Sequence, residues 1–459
     1  MSEKTKEIKL TRSLRPIHLW ALAVGLVISG NYFGWSYGFA TGGAVGLALA
    51  TIPVVIFYAC FILCYSEMAT AIPHAGGPSA YARRAGGPFW GYLNGISCLI
   101  EFVFAPPAIA LGVGGYIHSL FPAIDIIPAT IIAFAFFVLL NFRGMHSSAV
   151  FELVVTVIAL AGLLLFWIFA FPHFSMAQFL APIKGATNDG SLLGHVPGGF
   201  EGVMKSIPFA IWFYLAIEGG AMAAEEMVDP QRDIPKGFLS GIMTLMVMMC
   251  LTLFLTAGMV PVDKVFADDY PLPIALRYAL GINSWVALAV NILGLFGLVA
   301  SLNGIIVGAS RQMYAMARTG YLPKILCKLD KKRHVPRWSL ITCGAIGLIA
   351  AWSGLTSVVI TISCFGTVIM YIISIGSFFV LRKTEPRLNR PFKAPAGLLL
   401  GAISFVMLMF CLYCLVVYNL QALIPVAAIY VFAIFYYSVW GRKNIRPYNE
   451  EFGILDELD

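Results

Sequence analysis

Two glutamates carry most of the chemistry that this sequence offers. Glu101 and Glu218 each stand inside a long apolar run. Glu101 lies about 13 residues into its run, roughly 20 Å along a helix that rises 1.5 Å per residue, and Glu218 about 14 residues into another. A charge at the centre of a bilayer costs at least about 2.5–3.5 kcal/mol on insertion scales. Neither run supplies a Lys or Arg at that depth. Two acids and no base call for a cationic substrate, a proton, or both. At about 4 Å and an effective dielectric near 20, one ammonium–carboxylate pair gains about 4 kcal/mol before desolvation. The other reading is that each acid is protonated and hydrogen-bonded to backbone. Glu67 and Glu152 differ, because they fall near the ends of their runs, where water and Arg partners are available. A structural role serves those two equally well.

Aromatic residues gather near the first pair. Tyr32, Phe33, Trp35, Trp212 and Tyr214 could hold an ammonium against their ring faces, or could simply pack. Other chemistry is missing. The chain has no His-Glu-x-x-His helix, no Gly-x-Ser-x-Gly elbow and no phosphate loop, so it does not read as an enzyme. Eight of the nine cysteines lie inside apolar runs. Cys60/Cys64 and Cys411/Cys414 have helical spacing, but no His or carboxylate completes a metal set, and they read as small apolar side chains. No metal and no cofactor is expected.

The elements that must position these residues follow from composition. The 459 residues are 59% hydrophobic and 12% charged, against about a quarter charged in soluble domains. The apolar residues come in runs of the roughly 20 that cross a bilayer. The spacing predicts an all-α membrane protein of twelve transmembrane helices, at 17–42, 45–71, 88–118, 126–142, 147–171, 204–227, 237–260, 284–316, 338–353, 356–381, 397–417 and 421–441. No cleavable signal peptide is expected, because the run after the basic segment Lys4–Arg15 is long and eleven more follow.

The net charge of +7 does not point to nucleic acid, since the excess sits in short loops between the runs. With the N-terminus in the cytoplasm, 26 of the 30 Lys and Arg fall on the cytoplasmic side. Only Lys184, Lys205, Lys264 and Arg277 stay outside. That asymmetry places both termini in the cytoplasm of a multi-pass protein of the cytoplasmic (inner) membrane. Residues 1–16 and 442–459 are then short cytoplasmic tails around a transmembrane domain, 17–441.

Two of the runs are interrupted. Span one reads Ile28-Ser29-Gly30-Asn31-Tyr32-Phe33-Gly34-Trp35-Ser36-Tyr37-Gly38, and span six reads Tyr214-Leu215-Ala216-Ile217-Glu218-Gly219-Gly220-Ala221. Glycine weakens a helix interior, and open backbone at that depth is tolerated only where it lines protein or a wet cavity. Interruptions at corresponding places in two halves point to a transporter site. Spans one and six then head two five-helix repeats, about 17–171 and 204–381, followed by accessory helices at about 397–441. The other reading of the glycines is close helix packing.

Three motifs, in order, resemble the amino acid–polyamine–organocation (APC) superfamily. They are Pro73-His74-Ala75-Gly76-Gly77-Pro78-Ser79-Ala80-Tyr81-Ala82-Arg83-Arg84, then Asp229-Pro230-Gln231-Arg232-Asp233-Ile234-Pro235, then Asn303-Gly304 with Ser310-Arg311-Gln312-Met313-Tyr314-Ala315-Met316-Ala317-Arg318-Thr319-Gly320-Tyr321-Leu322-Pro323. Within it, Ile28–Gly38, Ile100–Ala110 and Ala216–Glu226 look most like ethanolamine permeases. The resemblance implies a 5+5 inverted repeat with discontinuous helices 1 and 6, substrate held at the two breaks, and import of ethanolamine by proton-linked alternating access. The alternative is an amino acid or polyamine permease of the same superfamily. Gly34-Trp35-Ser36 stands where amino acid carriers have a small-residue cradle for the substrate carboxylate, and Trp35 leaves less room for one. Asn31 departs from the family, where that position is often Glu. The resemblance places Glu101 on the substrate ammonium, with Glu218 sharing its charge or carrying a coupling proton. Ser29, Gly30, Asn31, Tyr32, Phe33, Trp35, Phe102, Trp212, Leu215, Ala216, Ile217 and Ser301 complete the expected lining. Expected partners are the small cation, protons and the bilayer, with the chain a monomer or homodimer.

Overall fold

Apolar runs of this length leave backbone amides and carbonyls nowhere to bond except within their own segment, so the chain folds as helices. The computed structural model describes residues 14–74, 76–143, 149–266, 268–330, 333 and 335–447. Most of the two expected tails, and Ala75 of the first motif, lie outside these residues. In chain order the first half comprises α1 (Pro16–Val27), α2 (Ser29–Tyr32), α3 (Tyr37–Ala71), α4 (Pro78–Gly86), α5 (Pro88–Leu120), α6 (Ile126–Phe142) and α7 (Ala149–Ala170). The short helices α8 (Met176–Phe179), α9 (Phe200–Lys205) and α10 (Ile207–Trp212) follow, and then a 3₁₀ segment, Ile217–Glu226. The remainder is α11 (Pro230–Met259), α12 (Pro271–Leu280), α13 (Trp285–Thr319), α14 (Arg337–Trp352), α15 (Thr356–Thr384), α16 (Leu398–Tyr418) and α17 (Leu420–Val439).

Among the described residues nine helices are long and apolar enough to cross a membrane, and three shorter apolar helices, α1, α6 and α14, accompany them. The described residues form no strand. Their one isolated β-bridge pairs Leu14 with Met227, and the Val228 amide donates to the Leu14 carbonyl at 2.9 Å. The segment before α1 is thereby fastened to the end of the 3₁₀ segment.

The first two expected spans need a correction at their edges. Span one is expected over 17–42, interrupted at 28–38, with a junction before 45; the interruption falls where expected and the junction does not. The helix stops at Val27, and after α2 it resumes at Tyr37 and runs to Ala71. The expected junction is a kink at Gly43, whose φ of 64° and ψ of −171° depart from the helix. A residue without Cβ takes that conformation at little cost, so the chain bends there without a loop.

α5 is buried along most of its length and packs against α15 and α13. α15 approaches it tightly at Gly366, where an added Cβ would sit 2.7 Å from both the Glu101 nitrogen and the Ser97 carbonyl oxygen. α16 and α17 stand at the rim with exposed Val406, Tyr413, Val431, Phe432 and Phe435, as befits surfaces facing hydrocarbon. Glu67 near the end of α3 has the Arg partners expected of it. Arg382 binds both its oxygens, at 2.9 and 2.5 Å, Arg390 lies 3.2 Å away, and the Ala394 amide donates at 2.8 Å.

Candidate functional site

The two interruptions cross one another. At Gly30 an added Cβ would lie 2.5 Å from the Trp212 carbonyl oxygen, so only glycine lets the two backbones meet there. Phe33 is extended (φ −158°, ψ 175°) and Gly34 turns to φ 89°, which ends the helical path before Tyr37. Three carbonyls left by this break are taken by buried aromatic donors. The Trp35 indole donates to Asn31 at 3.2 Å, the Tyr116 hydroxyl to Tyr32 at 2.9 Å, and the Trp212 indole to Phe33 at 3.0 Å. Each carbonyl keeps a second lone pair. On the other side Ser301 of α13 spans the joint between α1 and α2. Its hydroxyl donates to the Gly25 carbonyl at 2.6 Å and accepts from the Ser29 amide at 3.3 Å. Trp35 lies flat on Phe213, 5.9 Å between ring centroids and 16° between planes.

The second interruption holds the acids. α10 stops at Trp212, and Ala216 adopts φ 76°. An alanine in the left-handed region costs about 1–3 kcal/mol. The turn directs the Ala216 amide to Glu101 Oε1, 2.9 Å away. Two residues on, Glu218 Oε2 accepts from the Tyr371 hydroxyl of α15. Both glutamates are fully buried, and their carboxyl groups interact with each other. Glu101 Oε2 and Glu218 Oε1 have no hydrogen-bond partner among the described residues, and neither polar atom of the Asn31 side chain has one. Two carboxyl groups in contact cannot both stay charged cheaply. A shared proton or an arriving cation neutralises the pair.

Of the lining expected from sequence, Glu101, Ala216 and Glu218 come together directly. Phe102 sits against Gly219, whose added Cβ would lie 3.0 Å from its ring. Gly30, Phe33 and Trp35 meet Trp212 and Phe213, and Ser29 meets Ser301. Tyr32 turns away from the acids, and its hydroxyl donates to the Ala159 carbonyl on α7 at 2.5 Å. Leu215 and Ile217 are buried beside the turn.

Residues 18–442 match the family described as amino acid permease. The chain belongs to the amino acid permease family. It is similar to an uncharacterized transporter of Rhizobium meliloti (strain 1021), 29% identical over 395 residues that cover 84% of the permease and 83% of that relative. It is also similar to the branched-chain amino acid permease BcaP of Bacillus subtilis (strain 168), 23% identical over 465 residues, 96% and 95% of the two chains. The methylthioribose transporter of the same organism is 24% identical over 417 residues, 86% of each chain. The permease is therefore a multi-pass membrane transporter of the APC superfamily and not an enzyme.

The permease also uses residues that the sequence reading passed over. Tyr371 binds Glu218, the Ser363 hydroxyl donates to the Glu101 carbonyl at 3.0 Å, and Thr367 lies against the Glu101 carboxyl. Tyr58 of α3 closes the group, 5.6 Å from the Tyr371 ring and 4.9 Å from Tyr214. A signal for α15 was present: Ser363, Thr367, Tyr371 and Ser374 recur at helical i+4, i+4 and i+3 spacing in an apolar run.

One loop carboxyl ties together the ends of three long helices. The Tyr37 hydroxyl at the start of α3 donates to Asp269 Oδ1 at 2.8 Å, and the Thr356 hydroxyl at the start of α15 donates to Oδ2 at 3.4 Å. An added Cβ at Gly115 of α5 would lie 2.7 Å from Asp269 Cβ. Burial pushes Asp269 from its ordinary 3.8 up to about 6, against the pull of the Tyr37 and Thr356 hydroxyls. The folded state thus holds a proton that the unfolded chain releases. The associated stability is fully present below the ordinary value and is lost as pH rises through about 6. Melting curves of wild type and Asp269→Asn from pH 4 to 7 test this. The difference between the two profiles should change across that window. Parallel profiles would mean that Asp269 does not titrate there.

Proposed function

We propose that the permease imports ethanolamine, or a close small organic cation, across the cytoplasmic membrane by proton-linked alternating access. The observation that carries this reading is the pair Glu101 and Glu218, two fully buried acids on either side of the Ala216 turn, each with an oxygen that lacks a hydrogen bond and neither with a basic side chain among its hydrogen-bond partners. An ammonium group satisfies both. Trp35, stacked on Phe213, supports the same reading, because it stands where the resemblance puts the small-residue carboxylate cradle of amino acid carriers and leaves less room for one. In this reading Glu101 holds the ammonium, and Asn31, whose amide is buried and unpaired, faces the neutral end of the substrate. Glu218 and Tyr371 share the remaining charge. The chain would span the membrane twelve times, with repeats at 17–171 and 204–381, accessory helices at 397–441 and both termini cytoplasmic. Spans one and six would rock against spans three and eight.

The test is uptake of labelled ethanolamine into proteoliposomes with and without an inward proton gradient. Saturable uptake accelerated by the gradient is the expected outcome. Uptake indifferent to the gradient would sink the proton link. A second reading, an amino acid or polyamine permease, has the names of relatives on its side, BcaP above all. Alanine, agmatine and putrescine in excess should leave ethanolamine uptake largely intact. Strong competition by any of them moves the assignment to that compound's class.

A further inference from the structure

Besides Glu67 and this pair, a fourth buried glutamate, Glu152, stands apart. Glu152 was expected near the end of its span with water and Arg partners in reach. It stands in the first turn of α7, near the end of its span as expected, but it is 4% exposed and its Oε1 has no hydrogen-bond partner among the described residues. It faces Gly25 of α1 so closely that a Cβ there would fall onto Glu152 Oε1 and lie 3.3 Å from its carboxyl carbon. Thr156, one turn on, sits at the same spot, and its hydroxyl donates to the Ala21 carbonyl at 3.3 Å. The carbonyl of that Gly25 is the one that Ser301 bridges to the Ser29 amide. Glu152 therefore abuts the joint at which α1 gives way to the break.

The helices packed on α7 are α1, α11, α12 and α13. Among the described residues none of them offers Glu152 an ion pair, and its Oε1 stays without a hydrogen bond. A carboxylate there has no counter-charge, whereas a carboxylic acid fits the apolar setting.

We propose that Glu152 is a second protonation site, separate from the Glu101–Glu218 pair, and that it carries the proton coupled to transport. The inference rests on the proton-linked transport proposed above. Protonated, Glu152 is neutral and lies against Gly25 in the arrangement seen. To ionise, it must give its proton to water, and water reaches it only when α1 draws back from α7. Reprotonation from the opposite side lets α1 return. One proton is gained and one released per cycle, and no other group is consumed.

Two measurements on the full-length protein in lipid test this. The first needs no substrate: acid-minus-alkaline infrared difference spectra should contain a protonated-carboxyl band that disappears in Glu152→Gln. The second is labelled ethanolamine in proteoliposomes. Glu152→Gln should keep exchange of internal for external ethanolamine within about twofold but lose acceleration by a proton gradient. Glu152→Asp should restore part of that acceleration with an altered pH profile. Undiminished acceleration in Glu152→Gln, or an unchanged infrared spectrum, overturns the proposal. If wild type carries no ethanolamine at all, the substrate reading fails and the infrared result alone decides on Glu152. If Glu152→Gln does not fold, Glu152→Asp replaces it, and an unaltered pH profile in that variant overturns the proposal.

Discussion

Glu101→Gln should lower saturable ethanolamine uptake by about tenfold to a hundredfold while leaving the yield of folded protein nearly unchanged. The factor follows from removing a charged hydrogen-bond acceptor from an ammonium, a loss of about 1.5–3 kcal/mol. The fold survives because glutamine retains an oxygen for the Ala216 amide, 2.9 Å away in wild type, and because the residue is already surrounded on all sides. The amide also places an N–H beside Glu218, where wild type has a second carboxyl group. The effect should therefore be larger for cationic substrates than for neutral ones. Initial rates over a range of ethanolamine concentrations check it, and unchanged affinity and rate would remove Glu101 from the site.

The largest effect on stability is expected from Gly366→Ala. The added methyl would stand 2.7 Å from two backbone atoms of α5, the Glu101 nitrogen and the Ser97 oxygen. Backbone cannot swing aside as a side chain can, so α15 must move away from α5. Overpacking of this kind costs about 1–3 kcal/mol, occasionally more, and here it also displaces Tyr371 from the Glu218 carboxyl group and Ser363 from the Glu101 backbone carbonyl. Gly376 provides the control on the same helix, since a Cβ there meets nothing within 4 Å. Gly376→Ala should be neutral or stabilise by up to about 1 kcal/mol through helix propensity. The comparison is the thermal unfolding midpoint in detergent, with ethanolamine uptake as a second readout. Equal midpoints for the two variants would show that the α5–α15 approach is looser than described.

Much of this was legible in the residues. Glu101 and Glu218 stand out because charge is rare in apolar runs, and the interruptions at 28–38 and 214–221 because glycine is unusual at mid-helix. Both signals are local. Tyr371 was not legible: nothing in a run of Thr, Ser, Cys and Tyr says which distant helix its polar stripe will meet. Ala216 carries no mark of its left-handed turn, because alanine is at home in helices and the strain is imposed by tertiary contacts. Glu152 was misjudged for a related reason. Its burial depends on Gly25, and the room that a missing side chain leaves for a neighbour does not register in the neighbour's own sequence. The end of span one was misplaced because a glycine kink at 43 and a loop at 43 read alike.

The indoles in the first interruption have an optical consequence. Trp35 and Trp212 are fully or almost fully buried, and each donates its N–H to a carbonyl of the interrupted segment. Trp90, Trp285, Trp338, Trp352 and Trp440 are exposed, in surroundings that a rearrangement around the acids would leave alone. Indole emission responds to hydrogen bonding and to polarity, so any motion that frees the carbonyls of Asn31 or Phe33 changes the light from two tryptophans while those five stay constant. The protein carries a built-in fluorescent label at the place where its backbone opens.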